Sequence, residues 1–303
     1  MTQFVTHMYI AGLIILFLLI GIYIIHTPTQ KLNELFTSNY MTNSNYMTSS
    51  NPKVAIITAN FGSYDIPKSH SNVLNSNLVD WYFWTDNLAL GDLLDTKWKV
   101  RTKPYHLINM DMIKNKSYFC NILPNPNKQT HNMMSAKFYK ICTHHIPELA
   151  KYDYWIWIDG SIYLRDGFVN KMLELINSRS KPKLINFAHS VRDNITDEYN
   201  LSVQMAKYST QDLATQYRTY MNSGFEDTQG LYENTIMVKA NDLSINKIFD
   251  NWWIHNLTYS YQDQLSWPYV LWLYQTKPDY VINLNVFDND VFSYANYSEM
   301  TKH

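Results

Sequence analysis

The sequence KYDYWIWIDGSIYL, residues 151–164, decides the fold class that we predict for this chain. Its centre, residues 154–158, is an unbroken apolar and aromatic run, which is typical of a strand buried on both faces of a sheet. Asp159 follows directly, and a carboxylate at the C-terminal end of such a strand lies where open α/β sheets bind ligands. Gly160 leaves room for a ligand or a metal ion beside it. The alternative is that Asp159 only caps the next turn.

Segments with strand and helix patterns alternate on both sides of this stretch. Further strands are predicted at residues 54–59, 81–84, 98–100, 183–188 and 231–239. Helices are predicted at residues 133–145, 167–177, 202–220, 244–255 and 263–275. The alternation predicts an α/β domain built on a single doubly wound, mainly parallel sheet.

The N-terminus has a different composition. Residues 8–25 are 18 residues without a charge, the lower end of what can span a bilayer as a helix. No Lys or Arg precedes them and no clear cleavage site follows, so we predict a transmembrane signal anchor, not a cleaved signal peptide. The predicted organisation is a tail and anchor at residues 1–26, a Ser/Thr/Asn-rich flexible stem at 27–52 and one globular domain at 53–303.

The side of the membrane on which the globular domain lies is indicated by two opposing signals. Lys31, the basic residue near the anchor, lies on its C-terminal side and favours a cytoplasmic domain. Five Asn-x-Ser/Thr sequons favour a lumenal one: Asn115, Asn194, Asn200, Asn256 and Asn296. We predict a single-pass type II protein with its globular domain in a Golgi-like or ER-like lumen.

Charge and cysteine content exclude some classes of protein. The formal net charge of −1 does not suggest a nucleic-acid partner, because such binding depends on Lys and Arg neutralising phosphates. The two cysteines, Cys120 and Cys142, form neither a disulfide framework nor a zinc site. We expect two buried or free thiols, and a single disulfide bridge is the alternative.

Five motifs, in order along the chain, carry a resemblance to one family. They are VAIITANFGSYD (54–65), WIDGSIYL (157–164), FAHSVRDNITDEY (187–199), QGLYENTIMVK (229–239) and SYQDQLSWPYVLW (260–272). Together they resemble the glycosyltransferase-like domain family of the plant proteins named for turgor regulation defect and for mucilage-related sugar transfer. That family is similar to nucleotide-sugar-dependent transferases of the type A fold. The resemblance implies a membrane-anchored glycosyltransferase that moves a sugar from a nucleotide sugar, UDP-linked, to a hydroxyl of a glycan or glycoconjugate.

The resemblance also implies which residues bind the donor. It places four residues along the base and ribose: Thr58, Ala59, Phe61 and Tyr64. It places Asp86 at the edge of the base, Lys137 at the diphosphate and Asp159 at a bridging metal ion. A leaving diphosphate needs cationic stabilisation, which suits Lys137. Core packing of Tyr64 and a solvated helix face for Lys137 are the alternatives.

A metal site is implied at the end of the central strand. In the type A fold the strand-end carboxylate binds Mn²⁺ or Mg²⁺, ions that prefer oxygen ligands and substrate phosphates. Ser161 stands where the usual Asp-x-Asp motif has its second carboxylate. Metal affinity is therefore low, or the diphosphate holds most of the metal. His303 would complete the site, unless it belongs to a frayed terminus.

Glu233 and Asp263 are the candidates for the general base that activates the acceptor hydroxyl. Asp263 also opens a predicted helix, where a carboxylate is a good N-cap. Gln264 would orient the sugar, and His189 and Arg192 would bind the acceptor or the phosphates. Four C-terminal tryptophans are expected to be mostly core: Trp252, Trp253, Trp267 and Trp272.

Two other functions remain open from the sequence. A lipid hydrolase acting on ceramide has been ascribed within the resembling family, but no G-x-S-x-G or H-E-x-x-H motif is present. A nucleotide-sugar-binding module without turnover is the other, because the Asp-Gly-Ser sequence departs from Asp-x-Asp. The donor sugar, the acceptor and the stereochemical outcome are left open.

Overall fold

The structure, a computed structural model, describes residues 51–68, 70, 73, 75–94, 97–102, 128–284, 289 and 292–294. The predicted anchor and stem, Cys120, two of the sequons and His303 lie outside these residues. Within the described ranges, no helix is both long enough and apolar enough to cross a membrane. The described residues from Asn51 onward belong to one compact unit.

Nine strands are present in the described part of the chain. They are β1 (Val54–Asn60), β2 (Asp80–Thr85), β3 (Trp98–Arg101), β4 (Tyr154–Ile158), β5 (Ile162–Leu164), β6 (Leu184–Ala188), β7 (Tyr232–Ala240), β8 (Tyr280–Ile282) and β9 (Phe292–Tyr294). Seven form one sheet in the order β3-β2-β1-β4-β7-β6-β8, and β5 pairs with β9 in a separate ribbon. In the large sheet β7 runs antiparallel to both neighbours, whereas the other pairings are parallel. The prediction of an α/β fold with a mainly parallel sheet is confirmed.

Six α-helices accompany these strands in the described ranges. They are α1 (Lys128–Ile141), α2 (Phe168–Ile176), α3 (Ile195–Ser202), α4 (Leu213–Asn222), α5 (Leu243–Thr258) and α6 (Asp263–Leu273). Buried residues of α2 pack in one hydrophobic cluster, and those of α1, α4, α5 and α6 pack in another. The sheet is therefore covered on both faces, as a doubly wound arrangement requires.

The side chains of β4 explain why this strand lies inside the sheet. Trp155 and Trp157 belong to the cluster on one face, and Ile156 and Ile158 belong to the cluster on the other. Alternate side chains of a strand point to opposite faces, so an apolar run can fill both cores. Removing a buried aromatic such as Trp155, which is 1% exposed, costs about 3–5 kcal/mol.

The prediction of a single helix at residues 202–220 is wrong. Helix α3 ends at Ser202, a 3-10 turn follows at Ala206–Tyr208, and α4 begins only at Leu213. The interruption is held by tertiary contacts, because the Tyr261 hydroxyl donates to the Lys207 carbonyl. Asp212 then caps α4 by accepting from the Thr215 N–H at 3.0 Å.

Other boundaries differ in instructive ways. The helix predicted at residues 133–145 runs from Lys128 to Ile141 and is followed by a 3-10 turn at Thr143–His145. Strands β8 and β9 were not predicted, because three residues are too few to show a period. Three of the four C-terminal tryptophans are fully buried, at 0% exposure, as expected of core residues: Trp252, Trp253 and Trp267.

Candidate active site

The central cavity of the described structure lies at the edge of the sheet where β1 and β4 end. It has a volume of about 370 Å³. Strands β1 and β4 are parallel neighbours, so their carboxyl ends meet there, and antiparallel β7 brings its N-terminal end to the same edge. Eight predicted site residues line the cavity: Ala59, Phe61, Tyr64, Lys137, Asp159, Glu233, Asp263 and Gln264.

The turn after β1 forms one wall. Asn60 Oδ1 accepts the N–H of Tyr64 at 3.0 Å, which closes the turn. Gly62 has a φ of +69°, and a Cβ there would lie 1.9 Å from Asn132 Nδ2. The Gly62 N–H donates to Asp86 Oδ1 at 2.9 Å. Asp86 is exposed, is not among the cavity-lining residues, and holds the turn; its contact with a base stays a prediction.

The remaining predicted nucleoside residues differ in accessibility. Thr58 is buried at 6% exposure and does not line the cavity. The Phe61 ring lines it but is 3% exposed and stacks on Tyr139 with 5.6 Å between ring centroids. Tyr64 is half-buried, and burial together with Asp65 and Asp159 raises its pKa. Tyr64 therefore leaves more surface for a ligand than Thr58 or Ala59, which is 7% exposed.

Asp159 is held in place from two directions. Its backbone N–H donates to the Thr235 carbonyl at 2.8 Å, and Trp157 Nε1 donates to its Oδ1 at 2.5 Å. Lys140 Nζ lies 3.7 Å from the same oxygen. One third of the Asp159 side chain remains exposed. The carboxylate is thus fixed at the cavity rim with its Oδ1 already engaged.

Asp263 lies between two lysines from α1. Its Oδ2 is 2.5 Å from Lys137 Nζ and 2.7 Å from Lys140 Nζ, and the three side chains are 6%, 15% and 2% exposed. Asp263 is the first helical residue of α6, so the N-cap position is Gln262, whose side chain forms no capping bond. The N-cap alternative is therefore wrong, because the carboxylate turns towards the lysines instead.

Charge neighbours set the pKa values in this cluster. Burial by itself would raise the pKa of Asp263, but Lys137 and Lys140 outweigh it and lower that pKa to about 2. Burial lowers the pKa of Lys137 to about 8, although Asp263 opposes the shift. For Lys140, burial is outweighed by Asp159 and Asp263, and its pKa is raised.

Glu233, at the start of β7, has the opposite behaviour. Burial raises its pKa to about 7, and the nearby Glu198 carboxylate adds to the effect. Gln264 Nε2 lies 3.5 Å from its Oε2, and His189 Nε2 lies 3.3 Å from its Oε1. Glu233 can therefore exchange a proton near neutral pH, whereas Asp263 cannot.

His189 and Arg192 lie behind Glu233 and are not among the residues that line the cavity. Burial, reinforced by Arg192, lowers the pKa of His189 to about 4, so the imidazole is neutral at pH 7. Arg192 Nε donates to Glu198 Oε2 at 2.7 Å. Their direct contact with an acceptor or a phosphate stays a prediction, and in this structure they support the Glu233 side chain.

Several cavity-lining residues were given no role from the sequence, among them Asp65, Lys140, Lys207 and Asn234. The spacing of Lys140 three residues after Lys137 on a helix would have placed both on one face. Lys207 gave no such signal, because its position depends on the unpredicted turn between α3 and α4. Asn234 is 1% exposed, and neither amide atom has a hydrogen-bond partner in the described structure.

The side chains around Asp159 suit the predicted Mn²⁺ or Mg²⁺ poorly. These ions prefer carboxylate and water oxygens. The site offers one strand-end carboxylate whose Oδ1 already accepts from Trp157, a serine at position 161, and an ammonium group 3.7 Å away. One further carboxylate, Asp65, lines the cavity beside Gly160. The remaining predicted ligand, His303, lies outside the described residues. The metal site at Asp159 stays a prediction.

A second group could hold a metal ion by ligand type and distance. His144, His145 and Asp250 place their ligand atoms within 4.8 Å of one another. Both imidazole Nε2 atoms lie 2.7 Å from Asp250 Oδ1, and Lys239 Nζ lies 3.2 Å from His144 Nδ1. An ammonium group can only donate, so it directs the His144 proton to Nε2, towards Asp250. These contacts form a satisfied hydrogen-bond network.

Comparison with known proteins agrees with the resemblance found in the sequence. A family model described as "TOD1/MUCI70, glycosyltransferase-like domain" matches residues 36–303. No curated protein matches the sequence. Among solved structures, mouse xyloside xylosyltransferase 1 in its apo form is similar, with a TM-score of 0.42 and 8% identity over 77% of this chain and 85% of that chain. Because the family model covers most of its length, the chain belongs to the TOD1/MUCI70 glycosyltransferase-like domain family.

Proposed function

We propose that this chain is a glycosyltransferase that binds a UDP-linked sugar in the central cavity and transfers the sugar to a hydroxyl of a glycan or glycoconjugate. One observation carries the proposal. The cavity brings together buried ammonium groups, suited to a diphosphate, and a carboxylate whose pKa lies near 7, suited to a general base. Membership of a glycosyltransferase-like family supports the same chemistry.

The reaction is a displacement at the anomeric carbon of the donor. The acceptor hydroxyl oxygen forms a bond to that carbon, and the bond from the carbon to the diphosphate oxygen breaks. The electron pair of the broken bond leaves with the diphosphate, where the ammonium group of Lys137 stabilises the charge. The hydroxyl proton passes to the general base.

Glu233 is the better candidate for that base. A base must be ionised at the working pH and still hold a proton well enough to take it from the hydroxyl, so a pKa near 7 is favourable. Glu233 has a pKa of about 7, whereas two lysines hold that of Asp263 at about 2. Asp263 is assigned the role of orienting Lys137 and Lys140.

The donor lies, in this proposal, from the β1 turn towards Asp159. Ala59, Phe61 and Tyr64 contact the nucleoside, and Gln264, next to Glu233, contacts the transferred sugar. Asp159 takes a ribose or sugar hydroxyl, or water. The Mn²⁺ or Mg²⁺ that the family resemblance implies is not used in any step, because the residues around Asp159 suit it poorly.

The test is to incubate the purified full chain with a panel of nucleotide sugars and to measure binding and donor hydrolysis. We expect slow hydrolysis of one donor and faster transfer when a hydroxyl acceptor is added. Both activities should be lost in Glu233→Gln. No binding and no hydrolysis of any donor would contradict the proposal. Tight nucleotide binding without turnover would instead support the non-catalytic binding module.

We also propose that residues 8–25 anchor the chain in a membrane with the globular domain in the lumen of the secretory pathway. The exposed sequon asparagine Asn200 could carry a glycan there. Asn256 could not, because it is fully buried and its amide donates to the Trp252 carbonyl at 2.9 Å. We expect the globular domain to be protected from protease in sealed microsomes. We also expect a glycosidase to lower the mass of the chain, and Asn200→Gln to abolish that change. Digestion of the domain by protease in sealed microsomes would contradict the orientation.

A further inference from the structure

We infer that Lys140 is an internal cation of the donor site: together with Lys137 it supplies the positive charge that a divalent metal ion supplies in Asp-x-Asp enzymes, so the donor diphosphate binds without metal. This inference rests on the proposed function, because it concerns the diphosphate of the same donor. It goes further by assigning Lys140 a role and by stating what the site does not require.

Lys140 occupies the position of a bridging cation. Its Nζ lies 2.7 Å from Asp263 Oδ2 and 3.7 Å from Asp159 Oδ1, so one ammonium group bridges the strand-end carboxylate and the carboxylate at the start of α6. The side chain is only 2% exposed, and its ammonium lies 5.9 Å from the centre of the Trp157 ring. This is where a bridging cation would compensate two acidic side chains, and the protein supplies that cation itself.

The Lys140 ammonium group would repel a metal ion bound to Asp159. A divalent ion bound to Asp159 would lie only a few ångströms from the Lys140 ammonium group, and like charges at that distance repel strongly where water is excluded. Asp159 Oδ1 also already accepts the Trp157 N–H at 2.5 Å. Both facts lower the affinity of this carboxylate for a metal ion.

Lys137 is the more exposed of the two lysines, at 15%, and it lines the cavity. If Asp263 had Lys137 as its single cationic partner, the pair would be neutral and attract a diphosphate weakly. Lys140 shares Asp263, because both Nζ atoms contact the same Oδ2. Each ammonium group has three N–H donors, so Lys137 keeps donors for phosphate oxygens. Lys140 is therefore a positioning residue that acts through Lys137 and Asp263.

The rest of the cavity supports an anion. Lys207, on the turn between α3 and α4, lines the same space and adds a third amino group. The Asp65 carboxylate opposes anion binding. Its Oδ2 lies 3.3 Å from the place where a Cβ on Gly160 would stand, and Gly160 directly follows Asp159. If a metal ion were bound after all, Asp65 and Asp159 would be its natural pair of carboxylates, and the test below includes that outcome.

The experiment is calorimetric titration of the full chain with UDP, GDP, CDP and ADP, each in EDTA and again in excess Mn²⁺. We expect one nucleotide to bind with a Kd that differs by less than about threefold between the two conditions. Lys140→Met should weaken that binding by about tenfold or more in EDTA, because Asp263 then neutralises Lys137 and weakens its charge-assisted contact with the diphosphate. Added Mn²⁺ should restore it in the variant, because Asp159 is then free of the competing ammonium group.

Lys171→Met is the matched control. Lys171 lies on α2 with 48% of its side chain exposed, so this variant should bind like the unmodified chain in both conditions. The double variant Lys140→Met/Asp263→Asn removes the buried pair together, which keeps the test available if the single variant does not fold. We expect the double variant to bind in EDTA within about threefold of the unmodified chain, because Asp263 no longer neutralises Lys137; weak binding would contradict a role of Lys140 through Asp263.

The outcomes separate this inference from the proposed function. Binding by the unmodified chain that is lost in EDTA and restored by Mn²⁺ overturns the inference and leaves the glycosyltransferase proposal standing; loss of that Mn²⁺ effect in Asp65→Asn would then assign the metal to Asp65 and Asp159. Unchanged binding by Lys140→Met in EDTA also overturns it. Failure of all four nucleotides to bind under either condition overturns both proposals.

Discussion

Two buried clusters of charged and titratable side chains flank the same sheet, and they differ in what they can do. In the first, Asp263 lies between Lys137 and Lys140 beside the central cavity. In the second, Asp250 lies between His144 and His145. In each cluster two nitrogen-bearing side chains contact a single carboxylate oxygen, so composition alone does not distinguish them.

The difference lies in access and in remaining hydrogen-bonding capacity. Residues of the Asp263 cluster line a cavity of about 370 Å³ that a further carboxylate, Glu233, also lines. In the Asp250 cluster, Lys239 donates to the Ile141 carbonyl at 2.8 Å and contacts His144 Nδ1 at 3.2 Å. A buried charge that is fully satisfied by the protein contributes to structure, whereas one that faces a cavity can also serve a ligand.

The largest expected effect tests the cavity side of this comparison. Glu233→Gln keeps the shape of the side chain and removes its ability to take a proton, so we expect kcat for sugar transfer to fall by about 10²–10⁴-fold. The Kd for the nucleotide should change by less than about threefold. Glu174→Gln, at an exposed carboxylate, is the control. Transfer at the normal rate would exclude Glu233 as the base and return the role to Asp263.

The next effect tests the Asp250 cluster. Asp250→Ala removes the shared hydrogen-bond acceptor of His144 and His145, and leaving the buried, neutral His144 without that partner costs about 1–3 kcal/mol of unfolding free energy. Urea denaturation measures the loss, and the folded fraction should still bind nucleotide normally. Asp166→Ala, at an exposed aspartate, should change stability by less than about 0.5 kcal/mol. A variant that is stable but does not bind nucleotide would contradict the comparison.

Stability in acid should sharpen the same distinction. Burial is the main cause that lowers the pKa of His144 to about 3 and that of His255 to about 4. Below pH 6.5 the unfolded chain takes up protons at these positions and the folded chain does not. The unfolding free energy therefore falls as pH falls, by about 1.4 kcal/mol per pH unit for each histidine. Urea titrations between pH 7.5 and 5 measure the slope, and His255→Gln should reduce it by one histidine's share; an unchanged slope would contradict this.

The smallest expected effect is the pH dependence of the rate. Glu233 accepts a proton only when ionised, so the rate should rise about tenfold per pH unit up to its pKa of about 7. Lys137 loses its charge above its pKa of about 8, so the rate should fall again there. The profile of kcat/KM against pH tests both limbs. Glu233→Gln should lose the acidic limb and keep the alkaline one, and a flat profile would exclude both residues.

Local pattern was sufficient for the architecture but not for every boundary. The apolar run of β4 predicted a buried strand because both of its faces contact hydrophobic cores. The turn that places Lys207 at the cavity was missed, because residues 202–220 look helical and the contact that interrupts them comes from Tyr261. A contact with a residue far away in the sequence leaves no periodic pattern in the segment whose structure it changes.

The candidate site was predicted in the same uneven way. Ordered motifs contain the cavity-lining residues Asp159, Glu233 and Asp263, and Lys137 lies in the helical pattern that begins at residue 133. They did not show that the Asp86 carboxylate accepts from the Gly62 N–H, and its contact with a base stays a prediction. Side-chain direction at the end of a strand is set by neighbouring loops, and those loops come from other parts of the chain.

The sequence by itself determined the class of fold and the family, because hydrophobic period and motif order are properties of the linear chain. Only the tertiary structure separates the pKa values of the two candidate carboxylates. Lys140 and Asp263 are 123 residues apart in sequence and 2.7 Å apart in space, and that approach lowers the pKa of Asp263 to about 2. Burial away from those lysines raises the pKa of Glu233 to about 7. A pKa depends on the charges and the solvent around a group, and folding alone brings these together.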